Sequence, residues 1–242
     1  MGGYVPGEQP RSLNFIKLNT NENPYGPSEA CVADIAAAAA EAARGLNRYP
    51  DREHVALREG LADYLSRDVA DGQDPITPEQ VWAANGSNEV MLQLLQAFGG
   101  PGRTVVSFAP TYSMYPEYAR DTHSRFVAGR RAEDFTLDVD AALELVRTER
   151  PSLVLLPSPN NPTGTLLPVA LIEALLDALK PGASLVVDEA FIDLALEAAP
   201  LNPLLQRRFH TLLSHATRPV RQPGVQAPLP DHAGVPIPVV LR

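Results

Sequence analysis

The segment that decides the fold reads SLVLLPSPNNPTGTLLPVALIEALLDALKPGASLVVDEAF and covers residues 152–191. It opens with an apolar run, turns through asparagine, proline and glycine, continues as an amphipathic helix, and closes with an apolar run that ends on Asp188. A strand, a helix and a second strand in this order are typical of a parallel sheet. The segment therefore predicts an α/β fold in which Asp188 lies at the carboxyl end of a buried strand.

The same alternation extends upstream as far as Pro78. Apolar strands separated by amphipathic helices indicate a mostly parallel sheet with helices on both faces. Ligands bind such sheets at the carboxyl ends of the strands. The predicted strands are QVWAANG (80–86), TVVSFAP (104–110), SLVLLPSP (152–159) and SLVVDEAF (184–191), and the predicted helices cover 28–45, 52–67, 88–100, 138–150 and 168–182.

Three regions are predicted along the chain. Residues 1–27 lack periodicity and carry Gly, Pro and Asn, so they are predicted to form an extended N-terminal arm. Residues 28–213 hold the strand and helix pattern of one α/β domain. Residues 214–242 are rich in proline, which excludes helices and central strands, and they are predicted to be an irregular tail.

The composition excludes several classes of function. A net charge of -9 argues against nucleic acid, because phosphate backbones require clustered Lys and Arg. No apolar run is long enough to span a membrane and the N-terminus does not resemble a signal peptide, so a cytoplasmic location is expected. The single cysteine, Cys31, has no Cys or His cluster near it, and no metal site is predicted.

Three motifs follow predicted strands. ANGSNE (84–89) joins a strand to a helix, and the amides of the helix start with the Ser87 hydroxyl could hold a phosphate, although capping alone also explains such a sequence. PTYSMYPEY (110–118) places Tyr112 where its ring could stack on a flat ligand, and ordinary core tyrosines are the alternative. SPNNPTGT (158–165) is a tight turn whose asparagine could hydrogen-bond a ligand, and turn chemistry alone is again the alternative.

Six motifs, taken in order, resemble a known family. They are LNTNENPYGPS (18–28), NRYPD (47–51), ANGSNE, PTYSMY, SPNNPTG and VVDEAF (186–191). Together they resemble the pyridoxal-phosphate-dependent aminotransferases of fold type I, class I and II, and in particular their histidinol-phosphate aminotransferase branch. The resemblance runs from about residue 13 to about residue 213, and it implies an incomplete large domain without the family's small C-terminal domain.

The resemblance implies a role for each matching residue. Ser87 and Asn88 would hold the phosphate of pyridoxal 5'-phosphate, and Tyr112 would stack on its ring. Asn161 would hydrogen-bond the ring hydroxyl, and Asp188 would pair with the protonated ring nitrogen. The remaining implied positions are Tyr25 and Asn23 near the substrate, Tyr49 at the cofactor phosphate of a partner subunit in a homodimer, and Phe191 beside the ring oxygen.

The implied substrates are histidinol phosphate and 2-oxoglutarate, with glutamate as the other amino acid, in histidine biosynthesis. The alternatives are another pyridoxal-phosphate aminotransferase, a threonine-phosphate decarboxylase, a non-catalytic ligand-binding homologue and an unfolded relic without activity. PTYSMY and NENPYGPS together favour the histidinol phosphate branch.

The chain departs from the family at two points. Family members usually have tyrosine where this chain has Phe191, which keeps the ring but lacks the hydroxyl. The lysine that bonds covalently to the cofactor is missing, because only Lys17 and Lys180 are present and the region where the family has its lysine contains none. Together with the change to a proline-rich sequence near Ser214, this predicts a truncated or frameshifted chain without a catalytic residue and without transamination.

Overall fold

The computed structural model describes residues 25–67 and 75–190. The chain divides into two compact units, one up to Arg52 and one from Glu53 onward. In the first unit, helix α1 (Glu29–Ala43) begins at Ser28, whose hydroxyl oxygen accepts a hydrogen bond from the Cys31 amide at 3.3 Å. The helix predicted at 28–45 is confirmed, and every residue of α1 is exposed within the described part of the chain.

The second unit contains the alternating strands and helices. Its elements are α2 (Val55–Ser66), a short 3-10 helix (Pro78–Gln80), α3 (Gly86–Phe98), β1 (Thr104–Ala109), α4 (Tyr115–Asp121), β2 (Arg125–Arg130), α5 (Val139–Glu149), β3 (Leu153–Pro157), α6 (Val169–Ala178) and β4 (Ser184–Asp188).

The four strands form one parallel sheet in the order β2-β1-β3-β4. β1 pairs with β2 along its whole length, and β3 pairs with β4 along its whole length. β1 and β3 pair only at Val105 with Leu153 and at Val106 with Val154. The predicted α/β architecture with a mostly parallel sheet is confirmed.

Helices cover both faces of this sheet because successive strand side chains point to opposite sides. On one face, Val106, Val154 and Leu156 pack with residues of α5 and α6, including Val146 and Leu175. On the other face, Val105, Leu153, Leu155 and Val186 pack with α3 and α4. β3 is therefore buried on both sides, which explains its uninterrupted apolar sequence.

One predicted strand is wrong. Residues 81–85 of QVWAANG are not a strand in the structure, although Val81 has the extended backbone angles φ -115 and ψ 132. An extended segment becomes a strand only by pairing, and none of the four described strands pairs with it. Val81 instead packs against Ala62 and Leu65 of α2.

Two further elements, α4 and β2, were not predicted. β2 reads RFVAGR, and its terminal arginines and glycine give a weak strand pattern. As an edge strand of the described sheet it leaves Arg125, Ala128 and Arg130 exposed, and charged residues are common at such edges. Gly129 is required where it pairs with Phe108, because a Cβ there would lie 2.5 Å from the Phe108 ring.

The boundaries predicted for the arm (1–27) and the tail (214–242) fall almost entirely outside the described residues. The partial domain at 28–213 is likewise described only as far as residue 190. Those boundaries remain predictions.

Candidate active site

The order of the strands fixes where a crevice can form. In the strand order β2-β1-β3-β4, the chain runs from β1 outward to one edge of the sheet and from β3 outward to the opposite edge. The direction of winding therefore reverses between β1 and β3. Open α/β sheets bind ligands outside the carboxyl ends of the strands at this reversal. Backbone pairing of β1 with β3 stops after Val106 and Val154, and the Ser107 hydroxyl donates to the Leu155 carbonyl at 2.8 Å instead.

The loop after β1 brings a tyrosine to this edge. The Tyr112 hydroxyl donates to Oδ1 of Asn88 at 2.9 Å, which ties the loop to the first turn of α3. The Tyr112 ring meets the Tyr115 ring edge-on, with centroids 5.5 Å apart and an interplanar angle of 86°. Two predicted site residues, Asn88 and Tyr112, are therefore in direct contact.

The carboxylate of Asp188 lies at the end of β4 and is buried. Its Oδ2 accepts a hydrogen bond from the Tyr115 hydroxyl at 2.7 Å, and its Oδ1 accepts one from the Ala190 amide at 3.1 Å. Burial raises the pKa of Asp188, and the hydrogen bonds from Tyr115 and Ala190 act in the opposite direction. The pKa of Tyr115 is raised well above its usual value, first by burial and then by the negative charge of Asp188.

Tyr115, in the PTYSMYPEY motif, is a candidate site residue that the sequence alone did not indicate. Its side chain is fully buried, as a core residue's would be, but its hydroxyl points to Asp188. A buried tyrosine hydroxyl needs a hydrogen-bond partner, and a carboxylate at a strand end could have been considered as that partner. The separation of the two residues by 73 positions hides the pairing in the sequence.

The turn after β3 holds a second unpredicted residue, Asn160. Its side-chain amide donates to the Pro110 carbonyl at 3.1 Å and to the Thr163 hydroxyl at 2.7 Å, and the residue is 2% exposed. Asn161 is half-buried, and within the described chain its side chain makes no hydrogen bond. Asn160 therefore secures the turn, while the side-chain amide of Asn161 is not used by the described part of the chain.

The N-terminus of α3 supplies amide donors beside this loop. Gly86 begins the helix with φ +75, and a Cβ placed there would meet no atom within 4 Å. The N-cap residue Asn85 makes no side-chain capping bond, and the half-buried Ser87 hydroxyl is not hydrogen-bonded to any described residue. Helix N-termini with open amides are suited to phosphate.

The other predicted positions lie in the first unit or outside the described residues. Tyr25 and Tyr49 belong to the first unit, where their side chains are 83% and 101% exposed. Asn23 and Phe191 lie outside the described residues, as does Lys17. The roles predicted for these positions stay predictions.

Lys180 cannot contribute an amine to this edge of the sheet. Its carbonyl accepts the Ala183 amide at 3.1 Å in the turn that precedes β4, at the amino end of the strand. Asp188 lies at the other end of β4, and each residue of a parallel strand adds about 3.3 Å. Lys180 is the only lysine in the described residues.

The described part of the chain holds neither a candidate metal cluster nor a candidate membrane-spanning helix. No group of three or more His, Cys, Asp or Glu side chains there could hold a metal ion. No helix in residues 25–67 or 75–190 combines the length and apolarity needed to cross a membrane.

The sequence matches the model of a known family, aminotransferase class I and II, over residues 14–216. It is 49% identical to a histidinol-phosphate aminotransferase of Thermobifida fusca, over 89% of this chain and 56% of that protein. It is 54% identical to histidinol-phosphate aminotransferase 3 of Burkholderia lata, over 76% of this chain and 49% of that protein. The chain thus spans about half the length of the curated relatives it matches.

Solved structures are also similar, over about 70% of this chain. The histidinol-phosphate aminotransferase of Sinorhizobium meliloti, in complex with pyridoxal-5'-phosphate, has a TM-score of 0.60 and 26% identity, and the match covers 72% of this chain and 43% of that one. An aspartate aminotransferase mutant of Thermus thermophilus has a TM-score of 0.58 and 28% identity, over 70% of this chain and 46% of that one.

Proposed function

The chain belongs to the aminotransferase class I and II family, and on that premise we propose that the crevice after β1, β3 and β4 is a site for pyridoxal 5'-phosphate, the family's cofactor. The observation that carries the proposal is Asp188, a buried carboxylate at the end of β4 with both oxygens hydrogen-bonded. A buried carboxylate with hydrogen-bond donors is suited to a cationic ring nitrogen.

The donor set of the crevice fits the other parts of the cofactor. Ser87 and Asn88 lie in the first turn of α3, where the open amides suit the phosphate. Tyr112 presents a half-buried ring for stacking, and Asn161 has an amide free to donate to the ring oxygen. Phe191 is proposed to lie beside the same oxygen and to contribute shape only.

When bound, pyridoxal phosphate supplies a ring that accepts the electrons left on a substrate carbon after its proton departs. The residues of this chain would serve that chemistry by orientation and charge. Asp188 would keep a proton on the ring nitrogen, Tyr112 would fix the plane of the ring, and Ser87 would anchor the phosphate.

We further propose that the chain derives from the histidinol-phosphate aminotransferase branch, with histidinol phosphate and 2-oxoglutarate as the substrates, in the histidine biosynthesis of the cytoplasm. The similarity to relatives with that name supports this assignment. In the proposed enzyme Tyr25 and Asn23 face the substrate. Tyr49 reaches the cofactor phosphate of the partner in a homodimer, and its fully exposed side chain is compatible with such a contact.

For the 242-residue chain itself we propose cofactor binding without transamination. Transamination requires a positioned amine that moves a proton between carbon atoms, and loss of such a base typically costs about 10²- to 10⁴-fold in rate. Neither lysine of the sequence is proposed to supply it, because neither occupies the position of the family's lysine and Lys180 lies at the amino end of β4. A non-catalytic binding protein is therefore the second candidate function, and the absent lysine favours it.

The test of this proposal has a binding part and a catalytic part. Calorimetry should detect weak binding of pyridoxal phosphate to the purified chain, and Asp188→Asn should weaken it further. Borohydride reduction at stoichiometric cofactor, followed by peptide mass analysis, should find no adduct on Lys17 or Lys180. No detectable binding to the folded chain would overturn the assignment of the site.

The catalytic part compares the chain with a version whose residues after Ser214 are replaced by a family segment that carries the lysine. The repaired version should convert histidinol phosphate with 2-oxoglutarate, and the unmodified chain should not. Equal turnover by both would show that the missing lysine is unimportant.

A further inference from the structure

We propose that Tyr115 is a positioning residue for Asp188: its buried hydroxyl holds the carboxylate in one orientation so that the remaining lone pairs face the crevice. This inference rests on the proposed function, because the value of a fixed carboxylate lies in the ring nitrogen it would meet. The experiment below separates failure of the inference from failure of the cofactor site.

The hydrogen bonds at Asp188 occupy only some of the lone pairs of its carboxylate. An ionised carboxylate has about four lone-pair positions. The Tyr115 hydroxyl occupies one on Oδ2 and the Ala190 amide occupies one on Oδ1. Because each oxygen is held by a different element, the plane of the carboxylate cannot rotate without breaking one of these bonds. One lone pair on each oxygen is left for a ligand.

Tyr115 is itself held firmly. It is fully buried in a cluster that includes Met91, Leu95 and Val186, so its ring is packed between α3 and the sheet. Its amide donates to the Tyr112 carbonyl at 3.2 Å, and its ring meets the Tyr112 ring edge-on. The hydroxyl that reaches Asp188 is therefore fixed by the same residues that place Tyr112.

The Tyr115 hydroxyl affects the protonation of Asp188. Burial disfavours the ionised form of Asp188, and the Tyr115 hydrogen bond is the larger of the two interactions that lower the pKa of Asp188. The other titratable groups near the pair are Tyr112, Tyr118 and Arg131, and Arg131 interacts electrostatically with Tyr115. Removal of the Tyr115 hydroxyl should therefore raise the pKa of Asp188.

The competing explanation is that Tyr115 is only a core residue whose hydroxyl happens to be satisfied. Tyr118 provides a matched control, because it is also buried, lies one helical turn along α4, and belongs to the same cluster. Its hydroxyl forms no hydrogen bond with Asp188. Tyr115→Phe and Tyr118→Phe remove the same atom from similar packing, and only the first touches the carboxylate.

The first readout uses the full chain without cofactor. The side-chain ¹³C resonance of Asp188, assigned by its loss in Asp188→Asn, is followed through a pH titration. The pKa of Asp188 should rise in Tyr115→Phe and stay at the wild-type value in Tyr118→Phe. Equal titration in the two variants would overturn the inference, whatever the fate of the cofactor site. In the unmodified chain, the ¹³Cζ resonance of Tyr115 should shift with the same pKa as Asp188, and this measurement needs no variant. A Tyr115 resonance that does not shift as Asp188 titrates would also contradict the inference.

The second readout compares pyridoxal phosphate with its 1-deaza analogue, which has carbon in place of the ring nitrogen. Tyr115→Phe should weaken pyridoxal phosphate binding by about tenfold or more, the range of a hydrogen bond to a charged group, and leave binding of the analogue unchanged. Equal loss for both compounds would assign Tyr115 a packing role only. If the wild-type chain binds both compounds equally, the proposed pairing of Asp188 with the ring nitrogen fails, while the titration still decides the role of Tyr115.

Discussion

The side-chain amide of Asn160 lies 3.1 Å from the carbonyl oxygen of Pro110, and this hydrogen bond joins the loop after β1 to the turn after β3. The two loops border the crevice where β1 and β3 cease to pair. Asn160 also donates to Thr163 within its own turn. One buried side chain thus sets the spacing between the loops that carry Tyr112 and Asn161.

Asn160→Ala should lower the free energy of unfolding by about 1–3 kcal/mol, because it removes both hydrogen bonds donated by a buried side chain, each worth about 0.5–1.5 kcal/mol. Asn161→Ala, the neighbouring control, should change stability by less than about 0.5 kcal/mol and weaken pyridoxal phosphate binding. Urea unfolding and calorimetry on both variants measure the two effects. The reverse pattern, with Asn161 needed for stability, would contradict the division of roles.

Asp188→Asn should stabilise the chain without cofactor near neutral pH. The pKa of Asp188 is raised in the folded state, so between its ordinary value of 3.8 and the raised value the folded chain keeps a proton that the unfolded chain has lost. Stability of the wild type therefore falls as the pH rises through that window and then levels off. Asparagine stays neutral and escapes this loss.

The measurement is urea unfolding of wild type and Asp188→Asn at several pH values from about 4 to 8. The advantage of the variant should grow as the pH rises above the ordinary aspartate pKa. An advantage that is largest in acid would show that the carboxylate is not destabilised by burial.

Gly129→Ala should lower the free energy of unfolding by about 1–3 kcal/mol, because overpacking forces neighbours to move. The added Cβ would lie 2.5 Å from Phe108 and 2.8 Å from Leu145. Gly60→Ala is the matched control, because Gly60 lies inside α2 and a Cβ there meets nothing within 4 Å. That variant should gain about 0.5–1 kcal/mol from helix propensity. Thermal or urea unfolding should thus show that a glycine-to-alanine change lowers stability at Gly129 and raises it at Gly60.

Tyr112→Phe should preserve most of the affinity for pyridoxal phosphate, since the ring that is proposed to stack remains. Tyr112→Ala should lose about 1 kcal/mol or more of binding free energy, the scale of an aromatic contact. The wild type differs from the phenylalanine variant by the hydroxyl, which donates to Asn88. Calorimetric affinities that fall equally in both variants would indicate that the hydroxyl, and not the ring, recognises the cofactor.

Local patterns were enough to predict much of the fold. β3 and β4 were predictable because both are continuous apolar runs next to clear turn residues. β2 was not, because arginines at both ends and Gly129 weaken its pattern, and its place at the edge requires few buried side chains. The strand predicted at 81–85 was wrong for the opposite reason. Its sequence suits a strand, but pairing depends on a neighbouring strand that the sequence does not specify.

The positions of some candidate site residues in the fold were predictable by similar reasoning. Asp188 and Tyr112 follow strands, so their position at the carboxyl edge of the sheet could be inferred from the order of elements alone. Tyr115 and Asn160 could not be identified, because their roles depend on hydrogen bonds to Asp188 and Pro110 across 73 and 50 positions. Nothing in the local pattern distinguishes a core tyrosine from one that holds a carboxylate.

The junction between β1 and β3 also has a consequence for folding during synthesis of the chain. β1 and β2 emerge from the ribosome first, but a lone pair of strands is marginally stable in water. β3 completes the junction only after residue 157 is synthesised, which takes on the order of seconds after β2 at about 5–20 residues per second. During that interval the face of β1 that carries Val106 still lacks its cover from α6, and the crevice does not yet exist.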